Sequence, residues 1–283
     1  MKIISASRRT DIPAFLPEWF MNKIREGNVE VKNPFNNTSR LVSLLPEDVA
    51  GIVFWTRNPL PLIPFLSELQ DRAFSFYFLL SITGLGNPLE RRNPALEVAL
   101  EGFRKAAELA PVHWRFDPIP YDGTKASEEE ILNRFNGLAK ELQGHTKKCY
   151  ISFLQPYRKQ KLRFKEINYC YQEASEIDRR ELAAKLGKIA KKFEMEVYSC
   201  CSEYLESPTV KRGSCINQET LEKITGKPVL EKKHPSRKEC NCLKSTDIGL
   251  YNTCLHECLY CYATGKYETA RRNADELNKT IRG

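Results

Sequence analysis

The sequence TDIGLYNTCLHECLYCYATG (residues 246–265) places Cys254, Cys258 and Cys261 between a strand pattern and a helical pattern. TDIGLYN (246–252) predicts a short strand, and KYETARRNADELNKTI (266–281) predicts an amphipathic helix. In parallel α/β folds, the loops at the carboxyl ends of the strands carry the chemistry. The cysteine loop is therefore predicted to be a functional site.

The rest of the chain alternates strand and helix patterns. Strands are predicted at 2–7 (KIISAS), 51–56, 74–82, 112–117, 149–154 and 196–201, and helices at 17–26, 93–110, 127–142 and 176–194. Such alternation indicates parallel βαβ units. We expect the α/β class, with a complete or partial TIM-like barrel formed by residues 1–201, a cysteine-rich auxiliary metal region at 202–245, and a cluster-binding strand, loop and helix at 246–283 that complete it.

The order of the elements predicts a circular permutation. A helix of about sixteen residues spans roughly 24 Å, which suffices to lead from the carboxyl edge of a sheet back to its other edge. We therefore expect TDIGLYN to pair in parallel with KIISAS, so that the last strand in the chain is the first in space. Met1 and Gly283 are then expected to lie together at the face opposite the cysteines.

Composition narrows the functional classes. The 283 residues are 41% hydrophobic and 28% charged, which is typical of a soluble globular protein. The most apolar run (73–82) is half the length that a transmembrane helix needs, and the first residues lack the apolar stretch of a signal peptide, so we expect a cytoplasmic protein without a membrane partner. Most of the ten cysteines fall after residue 199, which favours a cofactor site over a disulfide framework.

The spacing C-x-x-x-C-x-x-C, with the aromatic Tyr260 directly before the last cysteine, resembles the signature of the radical S-adenosylmethionine superfamily. The resemblance implies that Cys254, Cys258 and Cys261 hold three irons of a 4Fe-4S cluster and leave the fourth open to S-adenosylmethionine. It also implies cleavage of that cofactor to a 5′-deoxyadenosyl radical, with an electron donor such as flavodoxin or ferredoxin. The alternative is a zinc ion bound by the same cysteines with His256 or Cys242.

A second resemblance extends over essentially the whole chain. SASRRTDIPAF, FWTRNP, WRFDPI and the cysteine loop are similar to an uncharacterised bacterial family known only as a domain of unknown function. The Gly-Gly-Glu stretch that often binds S-adenosylmethionine in the radical superfamily is absent. In the permuted order its place falls to SRRTDIP, where Thr10 and Asp11 are candidate partners of the cofactor ammonium, and Arg8 or Arg9 of its carboxylate. The alternative is a helix N-cap at Thr10 or Asp11 with exposed arginines.

A further set of cysteines precedes the loop. Cys201, Cys215, Cys240 and Cys242, with Cys200 as a substitute for Cys201, are predicted to hold an auxiliary 4Fe-4S cluster, and a structural zinc ion is the alternative.

Polar residues at other strand ends are candidate catalytic groups. Alternation puts Arg115 and Asp117 on one face of their strand, where they either act on a substrate or pair with each other, and Arg57 ends another strand. A small-molecule or peptide substrate is favoured. The net charge of +8 leaves open a radical lyase that acts on nucleic acid, and a non-catalytic zinc-stabilised binding protein is the remaining alternative.

Overall fold

A computed structural model describes residues 1–33, 36, 38–233 and 239–279. The strands are β1 (Lys2–Ala6), β2 (Asn28–Lys32), β3 (Ser39–Ser43), β4 (Val49–Thr56), β5 (Phe76–Ser81), β6 (Val112–Ile119), β7 (Lys148–Phe153), β8 (Glu196–Ser199), β9 (Val210–Arg212) and β10 (Thr246–Asp247). Eight of them form a parallel sheet in the order β10-β1-β4-β5-β6-β7-β8-β9, and β2 and β3 form a separate antiparallel hairpin.

Helices connect the strands of the sheet. They are α1 (Ile12–Phe15), α2 (Pro17–Glu26), α3 (Leu66–Asp71), α4 (Leu96–Leu109), α5 (Lys125–Leu142), α6 (Arg158–Glu166), α7 (Glu176–Lys192), α8 (Gln218–Thr225) and α9 (Tyr267–Lys279). Two of their ends follow directly from the sequence: Pro17 opens α2 at a position where no backbone N–H is needed, and Gly27 closes it with a φ of 73°. In the described part of the chain, no helix combines the length and apolar character needed to cross a bilayer.

The large core lies between the sheet and the outer helices. Successive side chains of a strand point to opposite faces, so Trp114 and Phe116 of β6 pack outward and His113 and Arg115 point to the inner face, as the alternation predicts. The Trp114 ring stacks on Phe135 of α5 with the centroids 4.9 Å apart. Burial of each large side chain of this kind stabilises the fold by about 1.5–3 kcal/mol.

The inner face of the sheet is covered by the segment that follows β9. Tyr77 of β5 donates a hydrogen bond of 2.7 Å to the carbonyl of Cys215, and His113 lies 3.0 Å from the Thr220 hydroxyl on α8. Leu221 and Leu243 join the inner-face residues in a second apolar cluster. The cysteine-rich segment therefore covers the inner face of the sheet.

The first and last strands of the sequence are neighbours in the sheet. β10 pairs in parallel with β1 through Ile4 with Thr246 and Ser5 with Asp247, as expected. The strand is shorter than the predicted TDIGLYN, and the sheet is open, with β10 and β9 at its edges, so the barrel does not close. Gly283, which was expected near Met1, lies outside the described residues.

Candidate functional site

Asp247 on β10 joins the two chain segments that were predicted to meet. Its carboxylate accepts hydrogen bonds from the Ser5 and Ser7 hydroxyls at 3.1 and 2.8 Å and from the Arg8 backbone N–H at 2.8 Å. It also accepts one from the Gly249 N–H at 2.9 Å. This single carboxylate fixes the turn after β1 against the chain that leads to the cysteine loop.

Gly249 allows this close approach. A Cβ atom at this position would lie 1.8 Å from the Ser7 hydroxyl oxygen and 3.2 Å from Cγ2 of Thr10. The Thr10 hydroxyl is itself buried and has no hydrogen-bond partner among the described residues. An unsatisfied buried hydroxyl costs free energy, so it marks a position where a bound group would supply the missing partner.

Cys254, Cys258 and Cys261 lie in the loop that follows, at the carboxyl edge of the sheet. Burial raises the pKa of Cys254, and Cys261, Asp11 and Cys258 raise it further. Burial also raises the pKa of Cys258 to about 12, although Arg57 opposes the shift. The three cysteines are therefore neighbours, and each is half-buried. No group of three or more His, Cys, Asp or Glu side chains in the described ranges has the arrangement of a metal site.

A buried ion pair ties this loop to the sheet. Arg57, at the end of β4, pairs with Glu90 at 2.9 Å, and the Tyr260 hydroxyl donates a hydrogen bond to the same carboxylate while accepting one from Arg57. Burial acts to raise the pKa of Glu90, but Arg57, Tyr260 and Thr83 lower it overall. Tyr260 and Arg57 are therefore brought together with Cys258, and Glu90, which was not predicted from the sequence, connects them.

Asp11 holds the loop from the other side. One carboxylate oxygen accepts the Ala14 N–H at 3.0 Å and caps α1, while the other lies 2.7 Å from Nε2 of His256 and accepts the Arg57 N–H at 2.7 Å. Asp11 is thus a helix N-cap, as the alternative interpretation held, and its acceptor positions are occupied within the protein.

Helix α6 braces the backbone of the loop. Arg163 donates hydrogen bonds to the carbonyls of Cys261 at 2.9 Å and Thr264 at 2.6 Å, and Gln160 donates one to the carbonyl of Tyr260 at 3.0 Å. Neither residue was predicted from the sequence. The basic run RKQKLRFK (158–165) is the signal that would have pointed to them.

The second set of cysteines converges beyond the ends of β8 and β9. The Cys200 sulfur lies 3.8 Å from that of Cys201 and 3.4 Å from that of Cys215. Hydrogen bonds from Cys200 and Cys240 raise the pKa of Cys201, and those from Cys200 and Cys242 raise that of Cys215. All four predicted cysteines are therefore brought together, and Cys200, named only as a substitute, belongs to the same group.

Arg115 and Trp55 lie on the inner face of the sheet, next to Cys215 of the second set. Arg115 pairs with Asp117, as one of the two interpretations predicted, and donates a hydrogen bond of 3.0 Å to the Cys215 sulfur. The guanidinium groups of Arg8 and Arg115 lie 4.7 and 4.9 Å from the centre of the Trp55 ring. Arg9 makes different contacts. Its guanidinium lies 5.1 Å from the centre of the Tyr251 ring, and its Nε lies 3.9 Å from a carboxylate oxygen of Asp247.

A cavity of about 300 Å³ adjoins the cysteine loop at the end of β5. Arg57, Thr83 and Glu90 line it together with the backbone at Gly84 and Gly86, and so does Asn93, whose side-chain oxygen lies 3.6 Å from the Cys258 sulfur. Its volume is at the lower end of the range of about 300–1,000 Å³ that small-molecule sites have.

The family model of a domain of unknown function, DUF1848, matches residues 3–263 and so includes both cysteine sets. The chain belongs to the DUF1848 family. A search among curated proteins finds no match for this DUF1848 chain.

Solved structures resemble the DUF1848 chain only distantly. A protein from Bacteroides thetaiotaomicron proposed to be an alpha-L-fucosidase is 10% identical, with a TM-score of 0.30 and coverage of 84% of this chain and 86% of that one. A pneumococcal StrH structure, described for N-glycan recognition and hydrolysis, is 9% identical with a TM-score of 0.29, and the match covers 74% of this chain and 56% of that one. These TM-scores carry no argument for a shared function.

Proposed function

We propose that this chain is a radical S-adenosylmethionine enzyme, built on a circularly permuted partial barrel of the TIM type. The observation that carries the proposal is the position of Cys254, Cys258 and Cys261. They follow β10 at the carboxyl edge of a parallel sheet and lie directly beside the turn that follows β1. Strand-end loops of this kind are where α/β barrels carry their chemistry.

The donor chemistry of the loop fits an iron–sulfur cluster. Its three half-buried cysteines are neighbours in one loop, and cysteine thiolates are the ligands that such clusters require. Cys254, Cys258 and Cys261 would hold a 4Fe-4S cluster with one iron open. When bound, the cluster and S-adenosylmethionine together supply a reductively generated 5′-deoxyadenosyl radical.

The residues around the loop have distinct tasks in this proposal. Thr10 offers the buried hydroxyl that lacks a partner, and Arg8 or Arg9 offers a cation for the cofactor carboxylate. Asp11, whose oxygens are occupied, positions His256 and α1 and does not itself receive the ammonium.

The ion pair of Arg57 with Glu90 fixes the orientation of Tyr260 and, with it, the backbone next to Cys261. Arg115 and Asp117 lie on the inner face, where a substrate would approach from the carboxyl edge of the sheet. The cavity beside Cys258 supports a small-molecule or peptide substrate, and we place the reaction in the cytoplasm with a flavodoxin or ferredoxin as electron donor.

The second cysteine set would bind a metal of its own, separate from the cluster proposed at the cysteine loop. The Cys200 sulfur lies 3.8 Å from that of Cys201 and 3.4 Å from that of Cys215, and this spacing favours a single tetrahedral ion over a four-iron cube. Zinc–sulfur bonds of about 2.3 Å put the sulfurs of a tetrahedral site roughly 3.8 Å apart. We therefore favour zinc bound by Cys200, Cys201 and Cys215, together with Cys240 or Cys242, over an auxiliary 4Fe-4S cluster at Cys201, Cys215, Cys240 and Cys242.

The test is anaerobic purification followed by metal and sulfide analysis and by assay of 5′-deoxyadenosine formation with dithionite as reductant. We expect about four irons per chain, and their loss together with all cleavage when Cys254, Cys258 or Cys261 is replaced by Ala. Cys170→Ala is the matched control, because Cys170 is an exposed cysteine away from both sets.

Cofactor cleavage by the Cys254→Ala/Cys258→Ala/Cys261→Ala variant would contradict the proposal, and so would zinc as the only metal in the wild type. The Cys240→Ala/Cys242→Ala variant addresses the second set separately. It should lose one zinc ion and retain the iron. Loss of half of the iron would assign an auxiliary cluster to these cysteines instead.

A further inference from the structure

Helix α6 is the most basic helix surface near the candidate site. Arg158, Lys159, Lys161 and Lys165 are all exposed, and Glu166 is the acidic residue of the helix. Each of the four cations lacks an ion pair with any carboxylate that the structure describes. Lys185 on α7, by contrast, is paired with Glu128. A concentrated positive field at one position on the surface attracts a partner of opposite charge and orients it on approach.

The same helix is attached to the cysteine loop. Arg163 and Gln160, on its inward side, hold the carbonyls of Tyr260, Cys261 and Thr264. A protein bound on the outward side of α6 would therefore sit one helix away from Cys258 and Cys261.

Two apolar side chains stand among the cations. Tyr157 is 58% exposed and Leu162 is 52% exposed, and both belong to the α6 segment. Apolar or aromatic contacts surrounded by charged groups are typical of protein–protein interfaces. A nine-residue helix offers a small contact area. Transient redox complexes bury less than about 1,200 Å², so such an area suits them.

We propose that the outward face of α6 (Tyr157, Arg158, Lys159, Lys161, Leu162 and Lys165) is the docking surface for an acidic electron-transfer protein that reduces the centre at the cysteine loop. This inference rests on the proposed function, because a redox partner is needed only if the loop holds a reducible centre. A nucleic acid would also be attracted by the cations. The apolar Leu162 and the direct attachment of α6 to the loop favour the protein partner.

The experiment measures binding and reduction separately, with a plant-type ferredoxin of acidic surface as the probe. The test variant is Lys159→Glu/Lys161→Glu/Lys165→Glu. The control is Lys188→Glu/Lys191→Glu/Lys192→Glu, which reverses the same number of exposed charges near the carboxyl end of α7, at the opposite edge of the sheet. We expect the wild type to bind ferredoxin more weakly as salt rises, and the α6 variant to bind at least about tenfold more weakly than the control at low salt.

Reduction gives the second readout. Cofactor cleavage driven by reduced ferredoxin should fall in the α6 variant, and cleavage driven by dithionite should remain at the wild-type rate. Equal ferredoxin binding by the α6 variant and the control would overturn the docking surface. So would tighter binding of a 20-nucleotide DNA that is lost in the same α6 variant, since it would assign the surface to nucleic acid. A wild type that binds ferredoxin through α6 but cleaves no cofactor with dithionite would support the surface and overturn only the proposed reaction.

Discussion

Acidification from pH 7 to pH 5 should destabilise the chain through His113. This side chain points to the inner face of the sheet between Tyr77 and Tyr150 and lies 3.0 Å from the Thr220 hydroxyl on α8. Burial lowers its pKa from 6.5 to about 3, and Lys148 contributes in the same direction. Below pH 6.5 the unfolded chain binds a proton that the folded chain excludes, so the stability that His113 contributes is complete above pH 6.5 and declines as pH falls towards 3.

The magnitude follows from the two pKa values. At pH 5 the unfolded state gains about 2 kcal/mol from protonation of His113, whereas the folded state gains almost nothing. The assay is urea unfolding of the wild type and of His113→Gln at pH 7 and pH 5. Gln offers the Thr220 hydroxyl both a donor and an acceptor but does not titrate. The loss of stability between the two pH values should be about 2 kcal/mol smaller in the variant. Equal losses in both proteins would refute the reasoning, whatever the absolute stability of the variant.

Two further substitutions test the packing of the sheet and of the site. Trp114→Ala should reduce the free energy of unfolding by about 3–5 kcal/mol, because it empties the space beside Phe135 and leaves the Ile82 carbonyl without its 2.8 Å donor. Leu109→Ala, at an exposed position, should change it by less than about 0.5 kcal/mol, and equal effects of the two variants in urea unfolding would contradict the assignment of the core. Gly249→Ala should cost about 1–3 kcal/mol, because its Cβ meets the Ser7 hydroxyl, and should lower the iron content after anaerobic purification. Unchanged stability and iron content would show that the turn held by the Ser7–Asp247 hydrogen bond can shift without affecting either property.

The sequence predicts the main strands and outer helices of the sheet because their patterns are long and regular. The alternation of β6 assigns Trp114 and Arg115 to opposite faces without any knowledge of the neighbours. The start of helix α5 shows where this kind of prediction fails. Ser127 and Glu130 have the spacing of a capping box, but the helix begins at Lys125, with Thr124 as its N-cap. The hairpin of β2 and β3 and the covering helix α8 were not predicted, because short elements carry little periodicity.

The candidate site likewise contains residues that the sequence reveals and residues that it does not. The spacing of Cys254, Cys258 and Cys261 is visible in the sequence because all three lie in one loop. Glu90 and Asp247 were missed, because each acts through residues far away in the chain, Glu90 through Tyr260 and Asp247 through Ser7. A lone carboxylate has no spacing that would reveal such a role.

The pairing of Ser5 with Asp247 joins residues 242 positions apart. During synthesis β1 acquires β4 as a neighbour early, but its other side stays open until β10, the last strand in chain order, has left the ribosome. Closing so long a loop is among the most entropically demanding contacts in the fold, so it belongs to the late steps of folding. The cysteine loop is both made and anchored at this stage. If the loop binds iron as proposed, the metal would meet the three thiols only in a chain whose sheet is otherwise assembled. A chain arrested before β10 would expose the edge of β1 and would lack the cysteine loop.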